Sequence, residues 1–527
     1  MKKILVFLLI GVLLCVSFAC KPPKDDDKEQ GGDPYTYKTV THIDDNNRVF
    51  YEIFVRSFHD SNGDGIGDLR GVIEKLDYLN DGDDNTHDDL GITGIWLMPI
   101  CPSPTYHKYD VTDYYAIDPE YGTMADFEEL ASECKKRDIK LIVDLVLNHT
   151  AVNHPWFIES KGANMYGTSS KYKDWYVYST EKLPNYHQLS SNLYYEGVFW
   201  SGMPDLNMDS LTLREEVKKI ADFWIEKGAE GFRLDAAKHV YGSLSDNVAF
   251  WKWFNDYLQE THGDIYTVAE IWSTGAEIQM YYDAGFTSVF NYVAGNTTGK
   301  IAALLNSGAG LSSAQKYAQW VKEWNDSIKA KNPNAVDSPF ITNHDNDRAF
   351  GALRRDLDNA KMAALVYITM PGSPFIYYGE EIGMLGSGID ENKRLAMLWN
   401  TSGNCDNPPN ANWFDQVCDP VSFQVGDYDS LLHTYRMAIR LRAENPELAR
   451  GEIEVIETGY TDVCAWKCTY NGKSVVIVHN LSFLREDAVI TLENATLNNY
   501  VAVIGGKPSI NGNQVTVPGY CTAVFAV

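Results

Sequence analysis

The chain has 527 residues, of which 44% are hydrophobic and 22% charged, a composition typical of a globular protein with two or three domains. The formal net charge of −27 argues against nucleic-acid binding, because proteins of that class need a basic surface. The 13 Trp and 32 Tyr residues indicate either extensive core packing or flat surfaces on which a ligand such as a sugar can stack.

The first 20 residues are typical of a secretory signal. A basic start (MKK) is followed by the apolar residues 4–16, and Cys20 follows a small residue. The apolar run is too short for a comfortable membrane span. A Cys at the cleavage point resembles a bacterial lipobox, so we expect export and a lipid anchor at Cys20, with plain secretion as the alternative. Residues 21–44 are charged and rich in Pro and Gly, a composition that predicts a disordered tether.

Eight apolar runs, separated by helical patterns, follow the tether. They are 49–58, 92–100, 140–149, 231–237, 266–272, 287–292, 338–345 and 373–381. Runs this continuous suit strands that are buried on both faces of a parallel sheet. Capping boxes predict that two of the intervening helices begin at Thr123 and Thr212. Eight strands alternating with helices predict an α/β fold, a (β/α)8 TIM barrel formed by residues 45–149 and 208–447.

Two further domains are predicted from breaks in this pattern. The third and fourth strands are separated by about twice the length of a normal βα unit, so we place an insertion domain at 150–207. It is rich in Trp and Tyr and follows strand three on the face where barrel active sites form. From residue 448 to 527 short alternating segments appear, two of them joined by Asn471-Gly472, which predicts a C-terminal antiparallel β-sandwich domain.

Polar residues collect at the carboxyl ends of the predicted barrel strands. They are His107, Tyr109, Asp110, Asp113, Asp144, Asn148, His149, Arg233, Asp235, Glu270, Asn343, His344 and Asp345. These strand ends meet at one mouth of a barrel. One such residue alone is more often a cap or an ion-pair partner than a catalyst. So many together are hard to explain by stability, because buried charges cost several kcal/mol unless they are paired.

Three of these carboxylates predict the chemistry of glycoside hydrolysis, which needs two carboxyl groups in different protonation states. Arg233 and Asp235 point to the same face of their strand, so the guanidinium would hold that carboxylate ionised as a nucleophile. Glu270 lies in an apolar context (VAEIW), which would raise its pKa and suit a general acid. The sequence lacks a Gly-rich phosphate loop, an HExxH motif and a serine elbow, so other hydrolytic chemistries are not supported.

A second motif, DSNGDGIGD, has the spacing of a loop that binds a hard cation. Its oxygen ligands would be Asp60, Asn62, Asp64, the Ile66 carbonyl and Asp68. The alternative is a turn rich in Gly and Asp without a metal.

Four segments, in this order, resemble the signature regions of the α-amylase superfamily, family 13 of the glycoside hydrolases. They are DLVLNH (144–149), GFRLDAAKH (231–239), EIW (270–272) and FITNHD (340–345), and MPDLN (203–207) resembles a fifth region. The resemblance covers nearly all of the chain after the tether. It implies a retaining mechanism with Asp235 as nucleophile, Glu270 as general acid and base, and Asp345 as stabiliser of the transition state.

The resemblance also implies contacts to substrate and metal. The predicted substrate-binding residues are His107, Tyr109, His149, Arg233, Lys238, His239, Trp272 and His344. Among them, Lys238 and His239 resemble the pair that α-amylases place on the leaving-group side, and they favour α-1,4 over α-1,6 linkages. Loops like 60–68 bind Ca²⁺ in this family, and a second calcium site would use Asn148, Asp205 and the His239 carbonyl.

These inferences predict a retaining, endo-acting α-1,4-glucan hydrolase that acts on starch or maltodextrins. We expect an exported monomer, lipid-anchored at the cell surface or otherwise secreted, that binds an α-glucan and no nucleic acid. Two alternatives stay within the superfamily: a neopullulanase-like or cyclomaltodextrinase-like enzyme, and a 4-α-glucanotransferase. A third is a catalytically inactive glucan-binding lipoprotein, against which the intact carboxylate set argues.

Overall fold

The computed structural model describes residues 33–306, 313–413, 415–482, 484 and 486–527. The predicted signal, the predicted anchor at Cys20 and the tether up to residue 32 lie outside the described residues. Tyr35–Val527 form one compact unit. In the described part of the chain, no helix combines the length and the apolar character needed to cross a membrane.

The strands and helices alternate through the first two thirds of the chain. The strands are β1 (Phe50–Ile53), β2 (Gly94–Leu97), β3 (Lys140–Leu145), β4 (Tyr178–Ser179), β5 (Tyr186–Ser190), β6 (Leu193–Glu196), β7 (Gly231–Leu234), β8 (Tyr266–Ala269), β9 (Ser288–Val289), β10 (Phe375–Tyr377), β11 (Glu452–Ile456), β12 (Val463–Tyr470), β13 (Lys473–Asn480), β14 (Ala488–Thr491), β15 (Thr496–Ala502), β16 (Ser509–Asn511), β17 (Gln514–Val517) and β18 (Cys521–Ala526). The α-helices are α1 (Val55–Phe58), α2 (Leu69–Glu74), α3 (Leu76–Leu79), α4 (Met124–Lys136), α5 (Pro155–Tyr166), α6 (Leu211–Glu226), α7 (Leu244–His262), α8 (Gly275–Met280), α9 (Lys300–Asn306), α10 (Ser313–Lys331), α11 (Ala349–Ala352), α12 (Leu357–Ile368), α13 (Asp390–Lys393), α14 (Val421–Gln424), α15 (Leu431–Glu444) and α16 (Pro446–Arg450), and Tyr281–Ala284 form a 3₁₀ helix.

A parallel sheet in the order β10-β1-β2-β3-β7-β8-β9 curls into the barrel, which confirms the predicted α/β fold. Its inner strands are buried on both faces, as their continuous apolar runs predicted. Close strand packing needs glycine at position 94, since a Cβ there would lie 2.4 Å from the Phe50 ring. Parallel strands of this kind place all their carboxyl ends on one face.

The seventh predicted strand, 338–345, is not a regular strand. Ser338 forms a single parallel bridge to Phe290, and the Pro339 carbonyl accepts a hydrogen bond from the Phe375 backbone N–H over 2.9 Å. Pro339 has no N–H to continue a ladder, which explains the difference from the prediction. The segment nevertheless fills the gap between β9 and β10 and completes the barrel.

Of the two predicted helix starts, one is confirmed and one is wrong. The capping box at Thr123 is confirmed: its hydroxyl accepts from the Asp126 backbone N–H at the start of α4. The predicted start at Thr212 is wrong, because α6 begins at Leu211 after Ser210. The Thr212 hydroxyl instead accepts a hydrogen bond from Trp175 Nε1 over 2.9 Å, which ties the helix to the insertion.

The segment between β3 and β7 contains α5 and a small antiparallel sheet in the order β4-β6-β5. Much of its aromatic content is core: the rings of Trp156 and Trp175 meet edge to face with centroids 4.8 Å apart, and both are buried. Phe199 and Trp200 are different, because they are 48% and 51% exposed. Each buried aromatic side chain stabilises the fold by roughly 1.5–3 kcal/mol, whereas the exposed pair needs another explanation.

The C-terminal region is antiparallel, as predicted. One sheet has the order β11-β12-β13-β18-β15 and another the order β14-β17-β16. Side chains from both sheets share one apolar cluster, which includes Val476, Phe525, Val515 and Val517. Asn471 and Gly472 have left-handed backbones and close the β12–β13 hairpin, the conformation that an Asn-Gly turn supplies.

Residues 35–44 contain no helix or strand but are not a free tether. Tyr35 is buried, and its hydroxyl donates to Glu444 at the end of α15 over 2.9 Å. The Tyr37 ring stacks on His87 with centroids 3.5 Å apart, and Asn499 of the C-terminal domain donates to the Thr36 carbonyl over 2.8 Å. The prediction of disorder is therefore wrong from residue 35 onward, because tyrosines within this polar segment pack against the folded domain.

The next residues run across the amino ends of the barrel strands. Asn46 donates to Asp264, which lies just before β8, over 3.1 Å. Arg48 donates to the carbonyl of Asp138, which lies just before β3, also over 3.1 Å. The chain thus enters the barrel on the face opposite to the carboxyl ends of the strands.

Candidate active site

The carboxyl ends of the barrel strands bring the predicted catalytic side chains together. Arg233 lies in β7 and Asp235 directly follows that strand, whereas Glu270 directly follows β8. His344 and Asp345 lie in the turn that follows the irregular seventh segment. The residues that the sequence places on separate strands therefore share one mouth, the face on which barrel enzymes carry their active sites.

The Arg233 guanidinium binds three carboxylates at once. Its Nη1 donates to Asp235 Oδ1 over 2.6 Å and to Asp144 Oδ1 over 2.9 Å, and its Nη2 donates to Glu270 Oε2 over 2.7 Å. The arginine side chain is only 1% exposed. One positive charge therefore faces up to three negative charges in a buried place, which favours retention of a proton among the three carboxyl groups.

Glu270 has the raised pKa that its apolar context predicted. Burial raises the pKa of this carboxyl, although Arg233 and the Ala236 backbone N–H, which donates to Oε2 over 2.9 Å, oppose the rise. Ala236 has a left-handed backbone with φ 45°, a conformation that costs a non-glycine residue about 1–3 kcal/mol. This strained turn, directly after Asp235, links the two predicted catalytic carboxyl groups through the backbone.

Asp235 differs from the prediction in its electrostatics. The contact with Arg233 is present, but burial raises the pKa of Asp235 and the guanidinium only counteracts that rise. The reason is that Arg233 is shared with two other carboxyl groups. One of them, Asp144, is fully buried, and burial raises its pKa to about 7.

Asp345 is held in its ionised form by two cations. Burial alone would raise the pKa of this carboxyl, but His344 Nε2, 3.2 Å from Oδ2, and Arg394 Nη2, which donates to Oδ1 over 2.9 Å, hold it far below its usual value. The His344 ring in turn contacts Glu52 Oε1 through Nδ1 over 2.5 Å. Burial opposes protonation of this ring, yet Asp345 and Glu52 together raise the pKa of His344 to about 9.

A cavity of about 550 Å³ opens above these groups. Its lining includes the three predicted catalytic carboxylates and most of the predicted substrate-binding side chains: His107, Tyr109, His149, Lys238, His239 and Trp272. Arg233 and His344 do not line it, since they lie buried beneath its floor. A volume in this range is typical of small-molecule sites.

Aromatic side chains form the walls of the cavity. Trp272 is 45% exposed and stacks on Tyr292, with ring centroids 5.1 Å apart and planes 13° apart. On another side, Phe199 meets His149 and His239 edge to face, at centroid distances of 5.2 and 5.5 Å. Lys238 Nζ donates to the Trp272 carbonyl over 2.7 Å. Flat apolar faces next to polar groups suit a sugar, which presents both.

The region that builds this cavity matches a known protein family. Residues 52–451 match the model described as alpha amylase, catalytic domain. The chain belongs to the α-amylase family. It is 39% identical over 484 residues to Alpha-amylase 3 of Dictyoglomus thermophilum, an alignment that covers 87% of this chain and 91% of that protein.

Other relatives agree with this assignment. The chain is 30% identical over 576 residues to an oligo-1,6-glucosidase of Bacillus cereus, with coverage of 90% and 98%. Amy13B of Eubacterium rectale matches the fold with a TM-score of 0.87 at 36% identity, over 93% of this chain and 97% of that one. As an α-amylase family member, the chain is a glycoside hydrolase and its substrate class is glucan. The predicted family, fold and enzyme class are confirmed.

The predicted calcium loop of this α-amylase family member is closed by its own backbone. Asp60 accepts from the N–H groups of Gly63 over 2.6 Å and Gly65 over 2.7 Å, and Asp68 accepts from the Gly71 N–H over 2.7 Å at the start of α2. Within the described residues, no group of three or more His, Cys, Asp or Glu side chains is placed to hold a metal ion. In this structure Asp60 and Asp68 accept backbone hydrogen bonds at a turn and at a helix start, and the carboxylate and amide oxygens of the loop are donors of the kind that suit a hard cation.

Two residues of the predicted second metal site, Asn148 and Asp205, are in contact. Asn148 Nδ2 donates to Asp205 Oδ1 over 3.3 Å, and both side chains are buried between barrel and insertion. Asn148 Oδ1 is buried and has no hydrogen-bond partner. An orphaned buried oxygen beside a carboxylate is a donor set that fits a hard cation.

Several residues of the site were not predicted from the sequence. Glu52, Arg394 and Asp390 contact or line it, as do Phe199 and Trp200. Glu52 could have been suspected from the sequence, because it is a carboxylate inside the apolar strand FYEI. Burial of a carboxylate is costly unless the group is paired. Phe199 and Trp200 could also have been suspected, because they lie a few residues before MPDLN (203–207). Arg394 had no local signal, since its partners lie far away in the chain.

Proposed function

We propose that the chain is a retaining, endo-acting α-1,4-glucan hydrolase that acts on starch or maltodextrins. The observation that carries this proposal is the pair Asp235 and Glu270, two buried carboxyl groups bound to opposite arms of one guanidinium at the floor of an aromatic-walled cavity. Glycoside hydrolysis with retention needs one carboxylate as nucleophile and one carboxylic acid as proton donor.

The hydrogen bonds assign an atom to each role. Arg233 holds Asp235 through Oδ1, so Oδ2 is the oxygen that attacks the anomeric carbon. In Glu270, Arg233 and the Ala236 N–H both donate to Oε2, so the proton resides on Oε1. Glu270 gives that proton to the leaving glycosidic oxygen while Asp235 forms the glycosyl-enzyme ester.

In the second half of the reaction, the Glu270 carboxylate takes a proton from water, which displaces Asp235 from the sugar. The ionised Asp345 lies beside the reacting ring, where it can bind sugar hydroxyl groups and favour the positive charge that develops in the transition state. His149, Tyr109 and His107 also line the cavity, where they would orient the sugar.

The linkage preference rests on the leaving-group side. Lys238, His239, Trp272, Phe199 and Trp200 all line the cavity. The rings of Trp272, Phe199 and Trp200 are about half exposed, which suits an enzyme that binds internal parts of a chain. The test compares soluble starch with isomaltose, with Asp235→Asn as an inactive control. Activity on isomaltose alone would refute the α-1,4 assignment.

A glucan-transferring activity is the second candidate, favoured by the same exposed rings, because they could retain an acceptor sugar after the first product leaves. Incubation with maltoheptaose separates the two. Hydrolysis gives only shorter products, whereas transfer also gives products longer than the substrate. Binding of glucan by the wild-type chain without any turnover would contradict both candidates.

We also propose that Ca²⁺ binds this protein, with Asp60, Asn62, Asp64, Asp68 and the Ile66 carbonyl as ligands. Carboxylate, amide and carbonyl oxygens are the donors that this ion prefers. The buried pair of Asn148 and Asp205 is the candidate for a second ion. Bound ions would stabilise the loop and the junction with the insertion, and they take no part in the steps above. Equilibrium dialysis with labelled Ca²⁺ tests the stoichiometry.

Export and lipid anchoring at Cys20 complete the proposal. They rest on the basic start, the apolar run and the position of the cysteine. Labelled palmitate should enter the wild-type chain and not a Cys20→Ala variant, which should be released from the membrane fraction. Light scattering of the released protein tests the expected monomer.

A further inference from the structure

Glu52 is a buried carboxylate below the active site that the reaction above does not use. It lies in β1, between Tyr51 and Ile53, and is only 2% exposed. Tyr51 faces away from the barrel axis, where its hydroxyl donates to Glu381 over 2.7 Å. Because side chains alternate along a strand, Glu52 faces the barrel interior, where its Oε1 meets His344 Nδ1 at 2.5 Å.

The hydrogen-bond partners of His344 favour a proton on both of its ring nitrogens, although burial raises the pKa of Glu52 and the ring only counteracts that rise. Nδ1 faces the Glu52 carboxylate, which accepts a hydrogen bond. Nε2 lies 2.7 Å from the Tyr109 hydroxyl and 3.2 Å from Asp345 Oδ2. The Tyr109 O–H donates to Asp144 Oδ2 over 3.1 Å, so its oxygen is left to accept from Nε2–H.

The charges around the ring also favour the imidazolium. Glu52 faces it from β1, Asp345 from its own turn, and Asp144 and Asp235 act on it from β3 and β7. Two cations oppose them: Arg233, which is bound to Asp144 and Asp235, and Arg394, whose Nε donates to the His344 carbonyl over 3.1 Å. The rings of Trp96 and His344 meet edge to face, with centroids 5.6 Å apart. The carboxylates outnumber the cations.

We propose that Glu52 is a positioning residue that keeps His344 doubly protonated, so that its Nε2–H always points at Tyr109 and Asp345 on the floor of the sugar site. This inference rests on the proposed glucan hydrolase function. It makes the highest pH at which the enzyme stays active depend on a side chain that touches neither the substrate nor the cavity.

The isosteric change Glu52→Gln isolates the charge. A glutamine oxygen can still accept from Nδ1–H, so the ring keeps its place, but it no longer favours the positive charge. The pKa of His344 should therefore fall. With only Nδ1 protonated, Nε2 becomes an acceptor and repels the Asp345 carboxylate. Loss of one adjacent carboxylate in a buried place should lower the titration midpoint of the ring by about one pH unit or more.

Two measurements test the proposal. The protonation state of His344 is followed by ¹⁵N NMR of histidine-labelled protein, with the signal assigned by its absence from a His344→Gln variant. The pH profile of kcat/KM on maltoheptaose is recorded in parallel. In Glu52→Gln the imidazolium signal should disappear at lower pH than in the wild type, and the alkaline limb of kcat/KM should shift in the same direction.

Two further variants separate this role from a structural one. Glu52→Asp keeps the charge and should restore part of the wild-type titration. Glu381→Gln removes another fully buried carboxylate, one bound by the Tyr51 and Tyr78 hydroxyls, and should leave the His344 titration unchanged. Melting temperatures of all variants show whether each is folded.

An unchanged His344 titration in Glu52→Gln would overturn the proposal. So would a uniform loss of activity at every pH that Glu381→Gln reproduces. If the wild-type chain does not hydrolyse α-glucans, the proposed function fails on its own, while the NMR titration still decides whether Glu52 controls the ring.

Discussion

Replacement of Arg233 by lysine tests whether one guanidinium organises the catalytic carboxyl groups. Lysine keeps the positive charge, but a single ammonium cannot reproduce the planar fork that reaches Asp235 through Nη1 and Glu270 through Nη2. We expect the loss of two charge-assisted hydrogen bonds, each worth about 1.5–3 kcal/mol. The sum of about 3–6 kcal/mol corresponds to a fall in kcat/KM of about 10²–10⁴-fold.

The pH profile of the same variant gives a second readout. Arg233 lowers the pKa of Asp235 against the effect of burial, so a weaker interaction lets that pKa rise further. The nucleophile must be ionised to attack. The acid limb of kcat/KM should therefore move to higher pH in Arg233→Lys.

The assay measures kcat/KM for maltoheptaose from released reducing ends, across acid, neutral and alkaline pH, with the melting temperature of each variant. Arg48→Lys is the matched control, because Arg48 is also buried and ion-paired but lies at the opposite end of the barrel. If Arg233→Lys keeps wild-type kcat/KM, or loses no more than Arg48→Lys, the shared guanidinium is not the organiser inferred here.

Three other predictions concern the acid, the walls and the metal. Glu270→Gln should lower kcat on maltoheptaose by about 10²–10⁴-fold. It should lower kcat on a glycosyl fluoride far less, because fluoride leaves without a proton. Equal losses of kcat on both substrates would contradict the role of general acid. Phe199→Ala and Trp200→Ala should each raise KM about two- to tenfold, because each loses an aromatic contact worth about 0.5–1.5 kcal/mol. Both should also shift the product pattern. Tyr166 is exposed but does not line the cavity, so Tyr166→Ala should change neither KM nor the product pattern. Removal of Ca²⁺ by a chelator should lower the melting temperature, since an ion at a hundredfold excess over its Kd stabilises by about 2.7 kcal/mol. Asp64→Asn should reduce that shift and Asp83→Asn should not; an unchanged wild-type melting temperature would count against calcium.

Much of the barrel could be predicted because its strands have a strong local signal. The run around β3, and the pair of Arg233 on β7 and Asp235 directly after it, follow from apolar runs and from the two-residue repeat of a strand. The irregular path at Ser338 and Pro339 was missed, because an apolar run does not show that a backbone ladder breaks where an N–H is missing.

The contacts that define the protonation states could not be predicted, because they join residues from distant parts of the chain. Glu52 and His344 are 292 positions apart, and Arg394 reaches Asp345 from a separate loop. The pKa shift of Asp235 could not be predicted for the same reason. Its neighbour Arg233 was evident from spacing, but the sharing of that charge with Asp144 and Glu270 depends on three strands meeting in space.

The packed segment at residues 35–48 has a consequence for how the enzyme meets a polymer. Its contacts with Glu444, Asp264 and Asp138 place the entry of the chain at the amino ends of the strands, whereas the cavity opens at the carboxyl ends. Residues 35–48 and the mouth of the cavity therefore lie at opposite ends of the barrel. A glucan chain can approach the cavity without meeting this segment.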